Sequence, residues 1–593
     1  MTALLHAPLA LVPTGLLRWF DDDPVRYWTI AWLAWGILVL TVVLRLLADW
    51  NPSSPSVRRL PTWLLHPATF TLMAIVAVVA FRWPMVFAGP LMNPDETQHG
   101  AAAITYWRDP VPWRSVDLHT SGPINAYALW PAMLINGRVD YAGLRLTALF
   151  AHAAAALACF GFFRRFTSEG VARLAALPFI SFVAFTALWE FVQYSSEQVS
   201  LCLLSVAAWL LAVGCTLPPG AERARRWRFV AAGFCLGTLP FAKMQAVPLG
   251  LSVGGFGLIA AWFVPAVSLR QRTARAFALI GGTLITPVLM ACSLTIFGLW
   301  AQFHAAYFES NATYLVGYDG ARLKLLREFI ESFVTYTDGF VPYFWGLIGV
   351  AVTAALVTGV IRLQPRALLA GAWILLAVGV GTVVYPGRPF GHYLHFLFLP
   401  LAWIGGLSLV AMLRSAETAV AARWAQAARW SIAGGFVLLT ILPQITARAK
   451  EPHPAVGHLV QARFDSLHPV SARLREIAQP GDTMMVWGWF PRLYTESGIP
   501  QGTRESHTYH EIEPSPMARF FRDRTLWDLR KNQPAIFVDS VCEGSFTYFD
   551  RKTAGLQVFP ELEEYVAQHY RLAEDLNGYR IYLRNDRAGA PGS

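Results

Sequence analysis

Apolar runs of bilayer-spanning length recur along the first three quarters of this chain, and that recurrence limits the fold more than any motif does. A run such as Phe70 to Val86, broken only by Arg82, is long enough to cross a membrane as a helix. At about 20 apolar residues per span there are roughly twelve of them, centred near Trp35, Ala77, Ala155, Ile180, Ala207, Gly233, Phe256, Leu284, Leu347, Leu375, Trp403 and Phe436. With 55% hydrophobic and only 15% charged residues in 593, no single soluble domain accommodates them. The fold class is therefore an α-helical polytopic membrane protein over residues 1–446.

The net charge of +10 raises the question of nucleic acid, but much of the arginine lies in short clusters between spans. Arg58/Arg59, Arg164/Arg165/Arg173, Arg223/Arg225/Arg226/Arg228, Arg270/Arg272/Arg275, Arg362/Arg366 and Arg414/Arg423/Arg429 fall in alternate connectors, as the positive-inside rule requires of cytoplasmic loops. The basicity is topological, and no nucleic-acid partner is expected. The same parity places three loops (about 88–141, 300–338 and 386–392) and the tail outside. It also puts the N-terminus with Asp21-Asp22-Asp23 outside, a side that the acidic run does not itself decide. Five of the six cysteines sit in apolar blocks, which leaves no disulfide framework and no thiolate zinc site. The start lacks a cleavable leader pattern, so the first span is expected to stay in place.

The polar tail, 447–593, reads as a small extracytoplasmic α/β domain. Thr483 to Trp487 and Ala535 to Val538 have strand character, and Val470 to Ile477 and Glu561 to Tyr570 helical character. No internal repeat is visible, so the inverted-repeat signature of many transporters is missing.

Chemistry concentrates in the first external loop. Asn93 suits a helix N-cap, Pro94 the first helical position, and Glu96 the third, from which its carboxylate reaches back to the capping amide. That leaves Asp95 to accept a proton, whereas on the bland reading both acids merely cap. Thr97 to Trp107 is expected to lie along the membrane surface as an amphipathic helix, with Tyr106 and Trp107 at headgroup level.

These residues resemble the membrane glycosyltransferases of the GT-C class, in the branch of protein O-mannosyltransferases and bacterial aminoarabinose (lipid A) transferases. That branch opens a helix of its first large external loop with an acidic pair, here Asp95-Glu96. A polar, proline-containing stretch follows, similar to His119-Thr120-Ser121-Gly122-Pro123-Ile124-Asn125-Ala126-Tyr127, where Ser121-Gly122-Pro123 replaces the branch's more usual Lys-Pro-Pro. Arg145 at the start of the next span, Lys243 after Gly237-Thr238-Leu239-Pro240, and Arg388, His392 and Tyr393 before an apolar run ending at Pro400 also fit. Trp487-Gly488-Trp489 with Tyr494 looks like the opening of the tail domain in many bacterial members.

The resemblance implies an inverting transfer from a polyprenyl-phosphate sugar to an extracytoplasmic acceptor. The preferred acceptor is a glycolipid, lipopolysaccharide or other glycan, with protein as an alternative. Asp95 is then the base and Glu96 a second acid or cap. Lys243, Arg388, His392 and Tyr393 hold the leaving phosphate, and His119, Glu197 and Arg145 contact substrate. Lys243 can instead snorkel to headgroups, and Glu197 can be a loop acid facing water. Arg504, Glu505, His507 and His510 form a polar cluster that reads more simply as surface loop. No obligatory metal or other cofactor is expected. His99, His119 and His304 have no ligand spacing, although Asp117 and Glu309 are available should a divalent ion bind. The implied location is a bacterial inner membrane with the site facing outward. A lipid-linked glycan transporter or flippase would carry ionisable groups mid-span, whereas most here lie at span ends. A glycan polymerase or ligase of another fold, and a non-catalytic envelope scaffold, complete the alternatives.

Overall fold

The computed structural model describes residues 23–87, 93–218, 220–263, 268–316, 319–358, 366–420, 422–450 and 467–587. Asp21, Asp22, Arg362, the first residues of the 88–141 loop and residues 451–466 of the tail lie outside them. A helix occupies each centre expected from the hydropathy pattern. Nine helices among the described residues are long and apolar enough to cross a membrane. Glu169–Phe185, Glu222–Thr238 and Val341–Thr358, with 17, 17 and 18 residues, are shorter than a full span.

The organising element is the span Gly391–Glu417, every residue of whose most apolar window is buried. Its Phe398 packs against Phe182, Phe191, Phe340 and Tyr343 from three surrounding segments, and the Tyr343 hydroxyl donates to the Phe398 carbonyl at 2.7 Å. Because this helix is enclosed all round, the His392-Tyr393 turn at its start is held at a fixed place in the bundle. Arg82, which interrupts an apolar run, is also buried. Its guanidinium donates to the carbonyls of Val183 (3.2 Å) and Phe191 (3.0 Å), satisfying backbone acceptors where a neighbouring helix ends.

The tail forms a four-stranded sheet: β1 Met484–Trp487, β2 Ile536–Asp539, β3 Tyr570–Leu576 and β4 Tyr579–Arg584, in the order β1-β2-β4-β3. β1 and β2 pair in parallel, and the other pairs are antiparallel. The helices Pro469–Ile477 and Pro560–His569 stand where the sequence places them. Not expected was the β3–β4 hairpin, whose turn is Asn577-Gly578 with φ of 56° and 88°. That dipeptide is a strong hairpin signal because both turn positions need left-handed backbone. The expected helix 561–570 overran by one residue into β3.

The first-loop helix Pro94–Arg108 departs from expectation. It does not lie on a membrane surface: nearly all of it is buried, Tyr106 included, and Trp107 alone among its large apolar residues is exposed. The reason is in Gly100-Ala101-Ala102-Ala103. Ala101 enters the core of the tail domain while Ala102 and Ala103 enter the core of the loop and the adjoining bundle helix Tyr141–Phe163. Small side chains thus let the helix be sandwiched on two faces. Thr495 of the tail donates to the Thr97 carbonyl at 2.9 Å, and a Cβ at Gly100 would meet the Thr495 hydroxyl at 2.4 Å.

Candidate active site

The end of the bundle that carries the tail domain holds a cavity of about 140 Å³, and most of the expected site residues line it. Asp95, His119, Glu197, Lys243, Arg388, His392 and Tyr393 come from positions scattered over 300 residues of sequence and meet here. Glu96 and Arg145 do not.

Asp95 and Glu96 separate because of helix geometry. Asn93 caps the helix by accepting the Asp95 amide at 2.9 Å, and Pro94 takes the first helical position, as expected. From there Asp95 faces the cavity while Glu96 turns into the bundle. Rather than reaching back to the cap, Glu96 accepts two hydrogen bonds from Arg145, at 2.9 and 3.1 Å, both side chains wholly buried. A buried bidentate pair of this kind satisfies both ions at once, and a lone exposed cap does not compete with it. Burial pushes the Asp95 carboxyl above its ordinary value, with Glu197 and Glu190 adding to the push, while His392 and Lys243 pull it down.

The cations have built-in partners. Lys243 Nζ lies 3.1 Å from the Glu197 carboxylate, both side chains nearly inaccessible, and sits 5.7 Å from the Tyr393 ring centre. It neither snorkels outward nor leaves Glu197 facing water. Its position is fixed by an antiparallel bridge between Ser121 and Lys243, by the Gly122 backbone amide donating to the Ala242 carbonyl (2.9 Å), and by the Asn125 side-chain Nδ2 donating to the same carbonyl (2.6 Å). Gly122 has no substitute there: a Cβ would come within 1.9 Å of the Phe241 carbonyl oxygen. Ser121-Gly122-Pro123 thus stitches the first loop to the lysine turn.

His392 is held by Glu190, whose Oε2 accepts its backbone amide at 3.0 Å and lies 2.9 Å from its Nδ1. A carboxylate at Nδ1 fixes the proton on that nitrogen and leaves Nε2 for the cavity side. Arg388 stacks 4.3 Å from the Tyr314 ring centre. Tyr314 was not foreseen, since nothing around it in sequence separates it from any lipid-facing tyrosine. His99 lines the cavity too, its imidazole lowered to about 3 by burial and the nearby Lys243, hence neutral.

The tail supplies the far wall with Trp489, His507, Tyr509, His510 and Phe546. Arg504, Glu505 and His507, expected as surface loop, are buried instead. The loop is locked to the first-loop segment: the Asp117 amide donates to the Arg504 carbonyl at 2.8 Å, Arg504 donates to the Arg114 carbonyl at 3.0 Å, and Arg524 binds Asp117 (2.8 Å) and Glu505. These partners lie hundreds of residues apart, which local sequence cannot reveal. Asp117, His119 and Glu505 each bring one ligand atom within 4.8 Å of the others, the one such group among the described residues. His304 and Glu309 pair at 3.1 Å on the surface and do not line the cavity.

Beside this polar chamber opens a larger, mainly apolar cavity of about 450 Å³, walled by Met244, Pro248, Leu315, Val378 and Pro386. Lys243, Tyr314, Tyr393 and Thr120 line both. The two spaces therefore meet at a lysine, with charge on one side and hydrocarbon on the other.

This architecture is the GT-C fold. The chain is similar to ArnT from Cupriavidus metallidurans bound to undecaprenyl phosphate, with a TM-score of 0.56 at 11% identity over 89% of this chain and 100% of that one. The apo structure of the same protein gives 0.51 at 14% identity with the same coverage. No protein-family model and no curated protein sequence matches. At such identities the likeness concerns the fold, and it agrees with the resemblance carried by Asp95-Glu96 and the residues after it.

Proposed function

We propose that this chain is an inverting glycosyltransferase that moves a sugar from a polyprenyl-phosphate donor to an acceptor at the outer face of a bacterial inner membrane. The observation that carries the reading is the junction at Lys243. An ionisable, proton-accepting chamber opens into an apolar groove, which is the shape a phosphate attached to a prenyl chain requires. ArnT, the similar structure, holds undecaprenyl phosphate.

The residues divide the work of one displacement. Asp95 takes the acceptor hydroxyl's proton, and the freed oxygen attacks the anomeric carbon from the face opposite the phosphate. The carbon–oxygen bond to phosphate breaks and its electron pair leaves with the prenyl phosphate. Inversion follows from a single displacement. The departing charge meets Lys243, Arg388 and the Nε2 side of His392, with the Tyr393 hydroxyl as a further donor. Glu197 and Glu190 hold two of these groups before substrate arrives, so little reorganisation accompanies charge development. Burial lifts the affinity of Asp95 for a proton toward that of a useful base. Glu96 and Arg145 act in this scheme only by fixing the helix that presents Asp95. The acceptor is a glycolipid, a lipopolysaccharide or another glycan, and resident cations rather than a metal ion stabilise the leaving group.

Mass spectrometry of envelope glycolipids from cells with the intact gene, without it, and with Asp95→Asn tests the reading. A glycoform present only with the intact gene is expected. Envelope glycolipids that are the same with and without the gene would overturn it, an Asp95→Asn protein that accumulates normally and still yields the glycoform would overturn Asp95 as the base, and a modified protein in place of a glycolipid would overturn the choice of acceptor.

A further inference from the structure

The wall that the tail contributes to the cavity is built unlike the rest of it. Trp489 sits directly after β1, on a turn that Gly488 makes with φ of 109°. The Gly488 amide donates to the Thr508 hydroxyl at 2.7 Å, and the Thr508 amide donates back to the Gly488 carbonyl at 3.0 Å. These bonds tie the Trp489 turn to the 507–510 loop, so the rings they carry keep one arrangement. The His507 ring stacks on Trp489 with centres 4.8 Å apart and planes 23° from parallel, while Tyr509 and Phe546 meet Trp489 edge-on at 5.1 and 5.2 Å. All four line the cavity.

Two polar details distinguish this platform from an ordinary apolar patch. The Trp489 indole N–H is buried and has no hydrogen-bond partner, an uncommon condition for a donor that normally finds one. His507 accepts the Tyr509 amide at Nδ1 (3.3 Å), which leaves its ring proton on Nε2. A flat aromatic surface with donors at its rim matches a ligand whose face is C–H and whose edge is hydroxyl. A pyranose or furanose ring has that character, while a prenyl chain has no use for the donors.

We infer that Trp489, with His507, Tyr509 and Phe546, forms a saccharide subsite on the tail domain, stacking one sugar ring of the reacting pair opposite Asp95. The inference rests on the transferase reading and names the chemistry its second substrate, or the transferred sugar itself, presents. Ring faces hold the sugar's C–H groups, and the indole N–H and His507 Nε2 donate to its hydroxyls.

Saturation-transfer NMR on the purified full chain in detergent tests this, with methyl glycosides of common hexoses and pentoses as probes and a short-chain prenylphosphoryl hexose as a donor analogue. Wild-type protein should saturate the ring protons of at least one glycoside. Trp489→Ala should weaken that binding by about three- to tenfold, and Trp489→Phe should retain most of it. An unaltered thermal transition for Trp489→Ala excludes misfolding, and Trp489→Phe guards the result if alanine is not tolerated. If Trp489→Ala also strips saturation from the sugar of the donor analogue, the ring held is the donor's. If only the free glycosides are lost, it is the acceptor's. The inference falls if Trp489→Ala binds every probe like wild type, or if no glycoside is saturated by wild type. Lost transfer in Asp95→Asn without any glycoside binding would sink the platform alone. Glycoside binding together with envelope glycolipids that are the same with and without the gene would sink the transferase reading and leave the platform standing.

Discussion

The two halves of the cavity are made by different rules. The half on the bundle and first loop is charged, with Asp95, Glu197, Lys243, Arg388 and His392 set at helix starts and turns. The half on the tail is aromatic: hydrogen bonds between Gly488 and Thr508 join its rings, and ion pairs of Arg524 with Asp117 and Glu505 tie its loop to the first-loop segment. In the charged half each of two cations is matched to a buried carboxylate, Lys243 to Glu197 and His392 to Glu190. On the proposed function, charge would sit where bonding electrons move, and ring surface where a sugar is recognised. Reactivity and selectivity would thus fall to different domains of one fold.

The sharpest way to break that division is to compare two neighbours. Asp95→Asn keeps the shape of its side chain and loses the base, so transfer should fall by about 10²–10⁴-fold while the melting transition barely moves. Glu96→Ala should do the reverse. It removes the carboxylate that pairs with buried Arg145 and should cost about 3–5 kcal/mol of stability, with transfer per folded molecule little changed. Thermal unfolding and a single-turnover assay read both. Equal loss of transfer in the two, with equal stability, would show that the acids act as a pair.

The next effect concerns Lys243. Alone, Lys243→Met leaves Glu197 buried and unpaired, so misfolding would mask chemistry. The double change Lys243→Met with Glu197→Met removes both charges, and should restore stability while transfer stays down by about 10²–10³-fold. Full activity in the double variant would mean that the pair is structural and that Arg388 and His392 suffice.

How much of this was legible follows the same boundary. Hydropathy placed a helix at each expected centre, because lipid demands an apolar run, although three of these helices are shorter than a full span. Asp95 stood out because an acid at the edge of an apolar block is costly, while Lys243, Arg388 and His392 came only from the family resemblance; the structure brings all four to one cavity. What escaped was packing. The sandwiched helix Pro94–Arg108 reads as amphipathic, since nothing in Gly100 to Ala103 announces a second domain on its far side. Glu505 and His507 read as loop, because Asp117 and His119 lie almost 400 positions earlier. The β3–β4 hairpin, by contrast, is written locally, in Asn577-Gly578 with both residues in left-handed backbone.

A smaller effect should appear in the pH profile. Asp95 serves only when ionised, and burial raises its proton affinity, so transfer should climb about tenfold per pH unit up to a value above the ordinary carboxylate range near 3.9. Glu197 raises that value, and Glu197→Gln should therefore slide the acid limb to lower pH. Glu190→Gln should move it the same way by less. A limb that ignores both substitutions would mean that the titrating group is not Asp95.

The smallest expected effect is that of a chelator. Asp117, His119 and Glu505 are close enough to share an ion, yet Arg524 already bonds both carboxylates. Burial would lower the imidazole of His119, but the carboxylates of Glu505 and Asp117 outweigh it and hold the ring above its ordinary value, which favours a proton there. A dication would have to displace that proton and share its ligands with a guanidinium. Prolonged treatment with EDTA should accordingly change transfer by less than about twofold, within the scatter expected of a site that binds no ion. The same protonation stabilises the contact between the two domains. Because the folded value is raised, its contribution is complete below about pH 6.5 and is lost as pH rises through that raised value, so thermal unfolding of wild type should soften over that interval and that of His119→Gln should not. Activity lost to EDTA and restored by one divalent metal would reverse the assignment, making the seam between charged and aromatic halves a metal centre.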